Sequence, residues 1–346
     1  MVLLPRITRG RTALVSAVTA AMLLAGCGSQ KAPATLQKQG RSSDITPAQA
    51  QQAAQAYEKG NNRINAAMDA AGISQLETQP LSTSSQAWMK ISKVLAQKVP
   101  PISSANDTFA IPAQTGYPRW FLDISQRSRG GVPYPQPTYS VYVQDSASTP
   151  FRVAYALTPT DQETLPAFQR DTKGSALAVT SDAGLAVRFD DLGRDITDHY
   201  LKHLFGKDAF TTSDALDGQL ATGYDLGQVA LKKRGILLAR TLTQSPRPTY
   251  ALRTSDGGAL VFNAVQVTDT LTSADGHTMA SLRAGSYEAA LLGQPKGARA
   301  KKFTIRRLEM FMTYVPLQSS GRKAKVMTYS EAVLSVKETS EFTKKH

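Results

Sequence analysis

Apolar positions along this chain recur with two distinct periods. From Thr46, the segment TPAQAQQAAQAYEKGNNRINAAM sets Ala50, Ala53, Tyr57, Ile64 and Met68 at three- and four-residue steps, the spacing of one buried helical face. Thr46 is placed to be the N-cap, Pro47 the first helical residue and Gln49 the partner in a capping box. Asn61 falls on the same stripe, where a buried amide needs a hydrogen-bond partner, and Gly60 beside it weakens a helix by up to about 1 kcal/mol relative to alanine. Asn61, Asn62 and Arg63 therefore read either as a kink with a satisfied amide or as the mouth of a pocket. Pro80 to Pro101 holds a second helical pattern, with Thr83 and Gln86 as a capping box and Trp88, Ile91 and Leu95 on one face.

The period then shortens to two. Tyr117–Ser125, Thr138–Gln144 and Phe151–Thr158 are rich in aromatic and β-branched residues and read as strands, with RSRGGVPYPQP as a long hairpin loop without regular structure between the first two. Ser175–Thr180 and Gly184–Phe189 read as short strands, followed by a helix from Asp195, its N-cap, to Phe205. The second half repeats the order: a helix near Ser213–Ala221, then strands at Ile236–Thr243, Thr249–Thr254, Ala259–Thr270, Phe303–Pro316 and Val326–Lys337, with Asp256-Gly257-Gly258 as a hairpin turn. Pro118-Arg119-Trp120-Phe121-Leu122 matches Pro248-Thr249-Tyr250-Ala251-Leu252, a hint of duplication.

The N-terminus follows neither period. Arg6, Arg9 and Arg11 precede an uncharged apolar stretch from Thr12 to Gly26, which is short for a bilayer span of about 20 residues and has the layout of an export signal. It ends in Leu24-Ala25-Gly26-Cys27, a lipobox that predicts cleavage between Gly26 and Cys27 and lipid attachment at Cys27. The polar run from Gly28 to Asp44 has no apolar period and reads as a flexible tether. Removal of residues 1–26 leaves 320 residues, enough for two domains. The expected organisation is a signal peptide at 1–26, a lipidated tether at 27–44, an N-terminal domain at 45–206 and a C-terminal domain at 207–346. The expected fold class is α+β, each domain being helices packed on a curved antiparallel sheet.

Cys27 is the sole cysteine, so its acylation leaves none for a disulfide, a thiolate metal site or a cysteine nucleophile. The formal charge of +13 falls to +10 with the loss of the three leader arginines. Residues 161–225 carry twelve acids against six bases, whereas residues 296–346 carry twelve bases against four acids. Lys296, Arg299, Lys301, Lys302, Arg306 and Arg307 are the candidates for binding a polyanion; outside the cytoplasm that means lipid headgroups or wall polymers rather than nucleic acid. The alternative is a solubilising face that complements the acidic half.

Candidate chemistry is sparse. His199 and His203 stand four apart on an expected helix near Asp195 and Asp198, the spacing of a weak metal site, but no glutamate follows His199 as in a zinc protease. Ser320-Gly321-Arg322-Lys323 matches S-x-x-K, yet it falls in a turn rather than opening a helix and lacks its companion motifs. No catalytic set, cofactor motif or nucleotide loop is found.

The lipobox, the Thr46-Pro47-Ala48-Gln49 helix start leading to Gly60-Asn61-Asn62-Arg63, Pro118-Arg119-Trp120-Phe121, and Ser255 to Phe262 (SDGGALVF) together resemble a group of uncharacterised actinobacterial membrane-anchored lipoproteins. That resemblance implies attachment through Cys27 by at least two acyl chains and brings no activity with it. A helix packed against an antiparallel sheet also resembles the cone-shaped nuclear transport factor-type fold, which hosts many functions. The expectation is a non-enzymatic lipoprotein on the extracytoplasmic face of the membrane that binds an anionic envelope polymer or an envelope protein. The alternatives are a small-molecule carrier with Tyr57, Asn61 and Trp120 lining its pocket, or a wall-acting hydrolase.

Overall fold

A computed structural model describes residues 45–160, 165–201, 209–211, 216, 223–243 and 248–339. The signal segment, Cys27, the tether, the boundary expected at residue 206 and, apart from Leu216, the helix expected at 213–221 lie outside the described residues.

Helix α1 (Pro47–Ala67) begins as its sequence dictates. Thr46 caps it, and the Thr46 hydroxyl and the Gln49 side chain exchange hydrogen bonds with each other's backbone amides. Ala50, Ala54, Tyr57 and Ile64 form its buried face. The helix runs unbroken through Gly60, where a Cβ would press against Leu76 of α2 (Ile73–Leu76). Helix α3 spans Leu81–Val94 and starts a few residues before the expected capping box. Thr83 and Gln86 lie inside it, and Pro80 caps it without a side-chain hydrogen bond.

The first sheet has the order β1-β2-β4-β5, all antiparallel, from β1 (Ile102–Ala110), β2 (Arg119–Arg129), β4 (Thr138–Gln144) and β5 (Arg152–Leu157). The long hairpin loop expected at Arg127–Pro137 is tighter than its prolines suggest, because β2 runs on to Arg129 before the chain turns. Gly130 and Gly131, at φ +58° and +81°, turn the chain so that β3 (Val132–Pro133) pairs back on β2. Ser175–Thr180 and Gly184–Phe189 form no strands; they make single bridges from Ala176 to Pro112 and Arg170, from Ala178 to Leu252 and from Leu185 to Leu317.

Helix α4 (Phe189–Leu201) starts six residues before Asp195, because the Asp182 carboxylate accepts the Phe189 amide and Asp190 and Asp191 supply charge suited to a first turn. Asp195 sits mid-helix and pairs with Arg194. After β6 (Phe210–Thr211) and α5 (Gly223–Lys232) comes the second sheet, built on long strands: β7 (Ile236–Thr243), β8 (Tyr250–Arg253), β9 (Ala259–Ser273), β12 (Lys302–Val315) and β13 (Ala324–Thr339). Its order is β6-β13-β12-β9-β7, with β8 also on β9. A small hairpin of β10 (Ala280–Leu282) and β11 (Ala298–Ala300), with α6 (Tyr287–Leu291) between them, completes the described elements. At the β8–β9 turn, Gly257 takes φ +83° and Asp256 accepts from Thr254, Gly258, Tyr314 and Arg322, so the Ser255–Gly258 motif is a pinned corner.

Strand parity assigns every layer. On the first sheet, Phe121 and Tyr142 stack at 4.8 Å beneath Tyr57 of α1, while Tyr155 on the opposite face meets Phe262 of the second sheet at 5.9 Å. Leu260, Phe262, Leu308, Met310 and Met312, even-numbered positions of the second sheet, join the first sheet in one apolar cluster. Odd-numbered positions face the other way: Val261, Val265, Val267 and Phe311 pack on Leu192, Ile196 and Tyr200 of α4, and Leu271, Phe303 and Ile305 pack under the β10–β11 hairpin. Trp120 and Tyr250, equivalent positions in the two matched pentapeptides, touch edge to face at 5.3 Å.

Candidate functional site

The long strands of the second sheet outrun the first sheet. Where Leu308 and Ala264 end the contact, the same even-numbered face continues into solvent. On β9 it presents Gln266, Thr268, Thr270 and Thr272, and on β12 Lys302, Thr304 and Arg306. Cross-strand register adds Thr241, Ala239 and Leu237 of β7 and Ser335, Lys337 and Thr339 of β13. Lys302, Arg306 and Lys337 are exposed, and no acidic residue occurs among the described residues of this face. Arg306 reaches diagonally to Gln266 at 2.8 Å, which holds its guanidinium on this face. The face is hydroxyl-rich and positive.

The six basic candidates do not share one surface. Lys302 and Arg306 lie on the open face. Lys296 and Arg299 are exposed on the hairpin that covers the opposite side, with Lys301 at its junction with β12. Arg307, one residue on from Arg306, points to the opposite face and is consumed there. Its Nε donates to Asp269 at 2.8 Å, Nη1 to Glu331 at 2.8 Å and Nη2 to Glu288 at 2.7 Å. Lys337 enters the patch in its place.

Arg307 belongs to an ionic layer between the two odd-face apolar clusters. Arg240 forks onto Asp269 at 2.7 and 2.9 Å and reaches Glu309 at 3.0 Å, while the Tyr200 hydroxyl donates to Glu309. Burial alone would raise Asp269, but the two guanidinium groups outweigh it and hold this carboxyl below its usual range. Glu309 is fully buried, and burial pushes it up to about 7 despite the opposing charge of Arg240 and the hydrogen bond from Tyr200.

Of the pocket candidates, Tyr57 and Asn61 line one cavity between α1, α3 and the first sheet. Trp120 is elsewhere, against Tyr250, with its backbone held by the Gln114 side chain. Asn62, next to Asn61, makes reciprocal hydrogen bonds of 2.8 Å with the backbone of Ile102 and fixes β1 to α1. His199 is buried on α4 with its ring 6.1 Å from that of Phe210; His203 lies outside the described residues. Ser320 sits in a 3₁₀ turn between β12 and β13, its hydroxyl donating to the Leu317 carbonyl.

These elements define a mixed α+β protein of mostly antiparallel sheets and few helices, with an open polar sheet face and a polar cavity. The chain belongs to the family described as a domain of unknown function, DUF8094, whose model matches residues 43–338. It is similar to an uncharacterised lipoprotein of Streptomyces avermitilis, 29% identical over 255 residues and 72% of each chain. It is also similar to one of Streptomyces coelicolor, 29% identical over 181 residues and 51% of each chain. No solved structure matches.

Proposed function

We propose that this protein is a non-enzymatic lipoprotein, anchored through Cys27 on the extracytoplasmic face of the membrane, that holds an anionic polymer of the cell envelope against the open face of its second sheet. The lipoprotein names of its relatives and its own lipobox support the anchor. The observation that carries the binding role is a sheet face with Lys302, Arg306 and Lys337 exposed, threonines between them and no acid among the described residues of that face. An extended strand repeats a side chain on one face about every 7 Å, so Lys302 and Arg306 stand roughly 14 Å apart along β12. That spacing suits a polymer with charges at intervals better than a single small anion.

Each basic side chain near an anionic surface contributes about 1 kcal/mol, so three contribute about 3 kcal/mol, on the order of a hundredfold in affinity. The test uses the full-length protein in neutral detergent and fluorescence anisotropy with labelled poly(glycerol phosphate) across a salt series. Neutralising Lys302, Arg306 and Lys337 together to glutamine is expected to weaken binding on that scale and flatten its salt dependence. The matched Lys296, Arg299 and Lys301 triple is expected to do much less. Equal losses from both triples would show that net charge acts without a site, and retained binding by the first would end the proposal.

A further inference from the structure

The cavity beneath α1 holds a buried cation whose hydrogen bonds are incomplete. Arg127, on β2, is 6% exposed and turned inward with the odd-numbered row of that strand. Its Nη2 donates to the Ser140 hydroxyl at 2.9 Å and its guanidinium lies 5.7 Å from the centre of the Tyr57 ring, but Nε has no hydrogen-bond partner. Across the cavity, Glu77 is 4% exposed and held in place by a bridge to Val153 of β5. Its Oε1 accepts from the Tyr57 hydroxyl at 3.0 Å, and Ser85 of α3 also acts on the carboxylate as a hydrogen-bonding neighbour. Buried donors and acceptors are nearly always satisfied, so an unmet guanidinium Nε on a residue lining this hollow points to an occupant that accepts from it.

The hollow has a volume of about 170 Å³. Against about 30 Å³ per water in the bulk liquid, that accommodates several waters or one compact molecule, and it is smaller than a drug-sized pocket. Asn61 and Asn65 of α1 supply amides to its wall, Ser85 and Thr138 hydroxyls, and Trp88 an aromatic side. The charge inventory narrows the class. Arg127 is permanently charged, and burial pushes both Glu77 and nearby Asp123 up to about 7, so at neutral pH the two half-ionised carboxyls together roughly offset the cation, and either can take up a proton when an anion enters. Asp107 is the remaining acid acting on Asp123, and its Oδ2 is engaged by Gln51 of α1. One added carboxylate is then balanced by uptake of about one proton at Glu77 or Asp123. A phosphate dianion would bring excess charge beside two acids.

We propose that this cavity binds a compact hydroxy-carboxylate, its carboxylate on Arg127 and its hydroxyls shared among Glu77, Asn61 and Asn65, with Trp88 alongside. The site is independent of the open sheet face, and the two readings fail separately.

The chain has two tryptophans, and Trp120→Phe leaves Trp88 as the sole reporter. Full-length Trp120→Phe protein in neutral detergent is titrated with lactate, gluconate, inorganic phosphate and glucose, reading Trp88 fluorescence and the NMR signal of the Arg127 Nε–H. Saturable shifts of both with lactate or gluconate, and binding of glucose weaker by about tenfold or more, are expected. Arg127→Gln is expected to abolish binding. Because that buried change can also unfold the chain, Asn61→Leu, at a half-buried wall position, serves as the second variant and is expected to weaken binding by about tenfold or more with the unfolding midpoint retained. Glutamine at Lys302, Arg306 and Lys337 is expected to leave gluconate binding intact. An Arg127 signal unmoved by either carboxylate at tens of millimolar would mean that ordered water alone fills the cavity. Equal binding of glucose, a response to phosphate alone, or indifference to Asn61→Leu would equally overturn the proposal.

Discussion

Replacing Glu309 with glutamine probes the ionic layer of the second sheet most directly. In the folded protein this carboxyl is fully buried and rises from an ordinary 4.5 to about 7, chiefly through burial. A folded-state value above the unfolded one means that the protonated form is the favoured one. The associated stability is fully present below about pH 4.5 and is lost as pH rises through 7. At 1.36 kcal/mol per pKa unit, the loss attributable to Glu309 is roughly 3 kcal/mol between pH 4.5 and 8. Glutamine keeps an oxygen to accept from Tyr200 and Arg240 but never ionises, so Glu309→Gln should lack this part of the pH dependence. Urea unfolding of both proteins in half-unit steps from pH 4.5 to 8.5 gives the difference curve. Glu77 and Asp123 rise to about 7 with the same sign, but they are present in both proteins and cancel. The expected difference moves in favour of the variant by roughly 3 kcal/mol over that range. Parallel stability curves would refute the reasoning, because they would mean that Arg240 compensates the buried charge completely and Glu309 titrates in the folded state as it does unfolded.

Two further substitutions test the packing. Gly193 of α4 lies against β9 so closely that an added Cβ would collide with Val265 Cγ1, so Gly193→Ala should cost about 1–3 kcal/mol in chemical denaturation. Combining it with Val265→Ala should cost clearly less than the two single losses summed, and strict additivity would rule out that contact. Thr46→Ala removes one half of the α1 capping box and should lower stability by about 1 kcal/mol, with Thr46→Ser close to wild type; an equal loss in both would argue against the cap.

The parts of this fold legible in the sequence are those in which local chemistry and tertiary packing agree. The start of α1 is spelled out by Thr46, Pro47 and Gln49, and β4 and β7 fall on the expected residues because β-branched, aromatic and aliphatic residues there meet clear turn residues on either side. Strand β1 escaped because ISSANDTFA is mostly polar and is bulged around Asn106, at φ +58°, so no alternation survives in it. The ionic layer escaped for a different reason. Arg240 meets Asp269 and Glu309 across 29 and 69 residues of chain, and strand register alone brings them together. Arg306 and Arg307 look equivalent in sequence, yet opposite parity sends one to solvent and the other into the interior. Tyr57 and Asn61 were found together through the helical stripe, whereas Glu77 and Arg127 carried no signal: neither sits in a motif, and the cavity that gives them meaning closes only when α1, α3 and the first sheet meet.

Strand β12 also implies an uneven tolerance of sequence change along a single element. Its even-numbered positions pass from exposed Lys302 and Arg306, with half-buried Thr304 between them, to Leu308, Met310 and Met312, each almost wholly enclosed. Among descendants of this sequence, drift should be nearly free at the first three as far as folding is concerned, and almost arrested at the last three. The border lies within the single two-residue step from Arg306 to Leu308, so selection that preserves residues on the free side of it would have to come from a partner and not from the fold.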